Sequence, residues 1–98
     1  MQNSEPWQLC LYVVGMTPST QRALQNIRNI CEENIRCEYS LEIVDLEQHP
    51  SLVKSEQILA TPLLVRKSPL PLRKMIGDFS DKEKLLNGLD LPQPEQAK

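Results

Sequence analysis

The chain reads as a mixed α/β domain on three observations. Residues 9–13 are β-rich and nearly all apolar, as in a strand buried on both faces. Residues 23–31 carry apolar side chains at helical spacing. Residues 39–44 alternate again and end near Asp45. Strand, helix and strand in that order form a βαβ unit with a parallel strand pair.

Each element has its own local warrant. Leu9, Leu11 and Val13 alternate with Gln8, Cys10 and Tyr12, and Gly15 stops the run. Thr17 reads as an N-cap and Pro18 as the first helical residue, where its missing N–H costs nothing. Ala23, Leu24, Ile27, Ile30 and Cys31 make the apolar helix face, and Arg22, Gln25, Arg28 and Asn29 the polar one. Tyr39, Leu41 and Ile43 then alternate with Ser40, Glu42 and Val44. His49-Pro50 opens a short helix over 51–59, with Leu52, Val53, Ile58 and Leu59 available for burial.

Ala60-Thr61-Pro62 interrupts, and Leu63, Leu64 and Val65 make a short strand. Pro69 and Pro71 belong in a turn, because Pro cannot donate to a central ladder. Residues 73–76 pair back as an antiparallel strand that Gly77-Asp78 ends. Ser80 and Glu83 have capping-box spacing for a last short helix through Leu85 and Leu86. Asn87-Gly88 breaks or ends it, and is also a hairpin-turn signal.

The resulting order, β-α-β-α-β-β-α, is that of the thioredoxin-like fold. One domain is expected over 1–98, with loose tails at 1–6 and 92–98. Thioredoxin-like proteins carry a cis-proline before the third strand, so Pro62 is expected cis, with a structural role as a tight turn.

Composition removes several functions. Eleven Lys and Arg against 13 Asp and Glu give a net charge of −2, which argues against a nucleic-acid binder. No apolar run approaches the roughly 20 residues that span a bilayer, so no membrane role is expected. No Lys or Arg precedes Arg22, which argues against a secretory signal. Cys10, Cys31 and Cys37 are odd in number and contain no C-x-x-C, so they read as reduced thiols in a cytoplasmic protein. With 4% aromatic residues and a modest core, self-association is expected.

No catalytic, metal or cofactor site is expected. Thioredoxin chemistry needs a low-pKa thiolate at the N-terminus of the first helix. The corresponding segment, Gly15-Met16-Thr17-Pro18-Ser19-Thr20, has no cysteine. Cys10 lies inside the first strand and Cys31 at the far end of the helix. His49 has no nucleophile nearby and reads as a surface or capping residue, and Ser80 as an N-cap. The only glycines, Gly15, Gly77 and Gly88, make no phosphate loop.

One charge feature stands out. Arg66, Lys67, Arg73 and Lys74 fall within nine positions and flank the Pro69-Leu70-Pro71 turn. They read either as a solvated edge strand protected by charge or as an electropositive docking edge for an acidic protein surface.

The ordered motifs resemble the KaiB family of clock proteins from Leu9 to Leu91. They run Leu11-Tyr12-Val13 with Gly15, Thr17-Pro18, Arg22-Ala23-Leu24, Val44-Asp45 and Pro50. They continue with Ile58-Leu59-Ala60-Thr61-Pro62, Pro71, Arg73-Lys74, Ile76-Gly77-Asp78, Ser80, Glu83-Lys84 and Gly88-Leu89-Asp90-Leu91.

The resemblance implies a non-enzymatic regulator that binds a KaiC-like hexameric ATPase/kinase and modulates its phosphorylation or signalling, with KaiA or a histidine kinase as further partners. It also implies two folds, one thioredoxin-like and one a ground-state variant forming dimers or tetramers, with a switch in the second half. The implied KaiC-facing residues are Gln57, Ile58, Leu59, Ala60, Thr61, Pro62, Arg66, Arg73, Lys74, Gly77 and Asp78. The implied structural residues are Thr17, Pro18, Pro62, Ser80, Glu83 and Gly88.

Three departures from the family pattern point to a divergent member serving stress or metabolic signalling. Gln57 stands where a basic residue is common, Lys67 where an apolar one is, and the tail is nearly neutral instead of acidic. An alternative is a sensor module like the N-terminal domain of SasA-type histidine kinases, and a less favoured one a thioredoxin-fold redox enzyme.

Overall fold

The computed structural model describes residues 6–35, 38–77 and 79–90. The order is β1 (Trp7–Val13), α1 (Pro18–Asn34), β2 (Tyr39–Asp45), α2 (Ser51–Ser55), β3 (Leu63–Ser68), β4 (Arg73–Ile76) and α3 (Lys82–Gly88). The strands form one sheet in the order β2-β1-β3-β4. β1 pairs parallel with β2 and antiparallel with β3, and β3 pairs antiparallel with β4. This is the thioredoxin-like arrangement of the two that the family resemblance allows. Cys37 and Asp78 lie outside the described residues, as do the expected loose tails apart from Pro6.

β1 is central, which explains its continuous apolar sequence. Leu9, Leu11 and Val13 join the larger core with Ala23, Ile27, Ile30 and Cys31 of α1 and Leu85 and Leu86 of α3. Cys10 and Tyr12 point the other way, into a smaller core with Leu46, Ile58, Leu63 and Val65. Burying one such aliphatic side chain contributes about 1.5–3 kcal/mol. Two faces of unequal depth therefore hold the sheet.

The junction between β1 and α1 is built as the sequence predicts. The Thr17 hydroxyl accepts from the Thr20 N–H at 3.1 Å, and Pro18 opens the helix. The Thr20 hydroxyl donates to the Gly15 carbonyl, and Asp45 Oδ1 accepts from the Gly15 and Glu47 N–H groups. Gly15 sits at φ +74°, where a Cβ would be strained.

Two elements differ from the sequence expectation. The helix expected over 51–59 ends at Ser55. Gln57 adopts φ +56°, its N–H reaches the Lys54 carbonyl, and the Ile58 N–H reaches the Val53 carbonyl at 2.8 Å. These bonds form a Schellman termination. The chain turns Ile58 into the smaller core and leaves Leu59 94% exposed. The last helix starts one residue later than a Ser80 cap requires. Asp81 is the N-cap, accepting from the Lys84 N–H at 3.1 Å, and Glu83 lies in the first turn. Burial of Phe79 at φ +61° fixes the entry of the chain and brings Asp81, not Ser80, to the cap position.

Candidate partner-docking site

The residues around the Thr61-Pro62 turn face β4 across a groove of about 800 Å³. Its walls come from the end of α2 (Val53, Lys54), the segment carrying Gln57, Ile58 and Leu59, and the strand residues Leu63, Lys74, Met75 and Ile76. The Thr61–Pro62 bond is cis. Ile58 and Leu63 are buried at the floor, while Val53, Leu59 and Ile76 stand exposed at the rim. Lys54 and Lys74, both exposed, add positive charge to the apolar lining. Such a groove can receive an apolar side chain while its rim attracts carboxylates.

The structure thus brings together Gln57, Ile58, Leu59 and Lys74, with Ala60, Thr61 and Pro62 in the adjoining turn. Arg73 and Gly77 flank them at the two ends of β4. Val53, Lys54, Met75 and Ile76 also line the groove but are not among the partner-facing residues that the sequence implies. Two signals could have found some of them: the three-residue spacing of Lys54 from Gln57, and the place of Ile76 in the Ile76-Gly77-Asp78 motif.

Arg66 does not belong to this surface. It is only 3% exposed. Its Nη1 donates to the Leu89 carbonyl at 2.7 Å, its Nη2 to the Pro71 carbonyl at 2.9 Å, and its guanidinium lies 5.2 Å from the centre of the Trp7 ring. Burial pulls its pKa down from the usual arginine value. The four-cation cluster is therefore divided. Arg66 pairs with Arg73 on one face of the sheet, and Val65 with Lys74 on the other. Lys67 sits 5.8 Å from the centre of the Tyr12 ring. Lys67 is exposed but belongs to β3, so of the four cations Arg73 and Lys74 are the two on the exposed edge strand β4.

The two described cysteines lie away from the N-terminus of α1. Cys10 is within β1 and Cys31 in the last turn of α1, and both are buried free thiols. Burial raises both pKa values, that of Cys31 to about 12. Among the described residues no helix is long and apolar enough to cross a membrane, and no group of three or more His, Cys, Asp or Glu is placed to hold a metal.

Residues 10–91 match the KaiB domain model. The circadian clock oscillator protein KaiB of Microcystis aeruginosa is 49% identical over 83 residues, covering 85% of this chain and 80% of that protein. The protein of the same name from Synechococcus elongatus is 45% identical over 91 residues, covering 93% and 89%. Among solved structures, the N-terminal domain of Synechococcus elongatus SasA superposes with a TM-score of 0.73 at 25% identity, covering 89% of this chain and 82% of that one. Mitochondrial thioredoxin 3 of Saccharomyces cerevisiae gives 0.65 at 16% identity over 91% and 79% of the two chains, which shows the fold alone. The family match over most of the chain, at this level of identity, establishes that the chain belongs to the KaiB family of circadian clock proteins.

Proposed function

We propose that the chain is a non-enzymatic regulator, a single KaiB-like domain that binds a KaiC-like hexameric ATPase/kinase and modulates its phosphorylation or signalling output. The observation that carries this reading is the groove between α2 and β4, apolar inside and rimmed by Lys54 and Lys74, in a member of a clock-protein family. The docking surface comprises Gln57, Ile58, Leu59, Ala60, Thr61 and Pro62 together with Arg73, Lys74 and Gly77. An apolar contact supplies affinity, and the cations select an acidic partner surface.

Co-elution with a KaiC-like ATPase in the presence of ATP tests the reading. Binding is expected for the native chain and is expected to be lost when Arg73 and Lys74 are both changed to Glu. Absence of binding under every nucleotide condition would overturn it. The likeness to the SasA domain supports a second reading, an interaction module in a histidine-kinase pathway. Competition between the chain and that domain for one ATPase surface would unite the two readings.

A further inference from the structure

β4 is an edge strand, and its outward backbone sits between two recesses. On one side is the groove described above. On the other is a cleft of about 340 Å³ lined by Met75, Ile76, Gly77, Phe79, Asp81 and Lys84, among others. The Gly77 N–H reaches the Pro62 carbonyl at 3.4 Å. Bonded pairs alternate along an antiparallel ladder, so Leu64 with Met75 and Arg66 with Arg73 are the bonded pairs. The N–H and C=O groups of Lys74 and Ile76 therefore point away from β3, toward the open edge. The side chains of Lys74 and Ile76 share the groove face with Val65 and Leu63, whereas Met75 shares the opposite face with Leu64.

We propose that the β4 edge accepts an extended acidic segment of a partner protein as a fifth strand. Main-chain bonds to Lys74 and Ile76 would supply register, and the two recesses would receive alternate side chains. The complement of Arg73-Lys74-Met75-Ile76 is a segment with two consecutive acidic residues and, two positions from the nearer one, an apolar residue that enters the groove beside Ile76. Opposite charges directly across a ladder attract and like charges repel. A second copy of β4 would crowd two Arg73-Lys74 pairs onto one four-residue ladder, which disfavours self-pairing. The chain's own 91–98 segment has Pro92 and Pro94, which cannot donate to a ladder. The identity of the partner as the ATPase rests on the reading above, but the edge and its preference for an acidic strand do not.

Residue-resolved hydrogen exchange on the full chain tests the inference. It is run with the chain alone, with a KaiC-like ATPase and ATP, and with a short Thr-rich peptide centred on Val-Thr-Glu-Asp at millimolar concentration. A control peptide carries Lys-Lys in place of Glu-Asp. The amides of Lys74 and Ile76 are expected to slow about tenfold in the complex, with Met75, already in the β3 ladder, changing less. Ile76→Pro removes one outward donor and is expected to weaken binding about tenfold while Ile76→Val does not. An ATPase complex in which Lys74 and Ile76 exchange as in the free chain overturns strand addition and leaves the partner reading standing. If the ATPase does not co-elute, that reading fails and the peptides decide. Slowing by the acidic peptide alone supports the edge site, and no slowing by it, or equal slowing by the control, overturns it.

Discussion

Arg66 Nη1 donates to the Leu89 carbonyl oxygen at 2.7 Å, joining β3 to the C-terminus of α3 across 23 residues of chain. Its second arm reaches the Pro71 carbonyl in the β3–β4 turn. One buried cation thus supplies donors to a helix end and a turn that would otherwise hold unpaired carbonyls. Arg66→Met should leave both carbonyls without this donor and cost about 2–4 kcal/mol. Arg66→Lys should recover part of that, because an ammonium lacks the planar fork. Urea unfolding gives the magnitude, and faster amide exchange in α3 locates the effect.

The helix-end role also marks where sequence reading stops. β1, α1 and β2 were legible because Leu9, Ala23 and Ile27 announce burial by period, and Thr17-Pro18 announces a helix start by local bonding alone. The fate of Arg66 depends on carbonyls of residues 71 and 89, which no local pattern encodes, so it looked like one more cation in an exposed cluster. Ser80 and Asp81 are both good caps, and the backbone at Phe79 decides between them. In the docking site, Gln57 to Pro62 were named through family resemblance. Lys54, Met75 and Ile76 were not, since only the closure of β4 against β3 brings them alongside.

Gln57 offers a stability test confined to this turn. It ends α2 at φ +56°, a conformation that glycine adopts at less cost. Gln57→Gly should therefore raise stability by about 0.5–1 kcal/mol, read as a higher urea midpoint with an unchanged slope. Unchanged or lowered stability would show that the Gln side chain contributes more than the strain costs.

Asp45 gives the fold a pH dependence. The Gly15 N–H and then the Glu47 N–H hold its carboxyl below the usual carboxylate range. The folded state therefore releases this proton more readily than the unfolded chain, whose Asp titrates near ~3.9. The resulting stabilisation is fully present above that value and is lost as pH falls through the lower, folded value. Asp45→Asn should be less stable than the native chain at pH 7, with the gap narrowing below about pH 4. Thermal melts of both proteins across that range would show it, and a constant gap would refute the assignment.

Burial raises the thiol pKa of Cys10, and that of Cys31 to about 12, so neither carries appreciable thiolate at neutral pH. Iodoacetamide at pH 8 should leave both unmodified in the native chain and label both in denaturant, as read by peptide mass mapping. Native labelling at Cys31 at the rate of a free thiol would show that the end of α1 opens readily.

Leu59 separates binding from folding. At 94% exposed it gains little from the hydrophobic effect in the free chain, yet it stands at the mouth of the groove. Leu59→Ser should change stability by less than about 0.5 kcal/mol. The same change should weaken partner binding by about 1–2 kcal/mol, or roughly 5- to 30-fold. Leu63, 5% exposed at the groove floor, should behave oppositely. Leu63→Ala opens a cavity and should cost about 2–4 kcal/mol in folding, whatever its effect on the partner. Paired urea titrations and binding isotherms on the two variants check both. A loss of stability from Leu59→Ser as large as its loss of binding would mean that Leu59 packs in the free chain, and the groove would then lose its claim to be the docking surface.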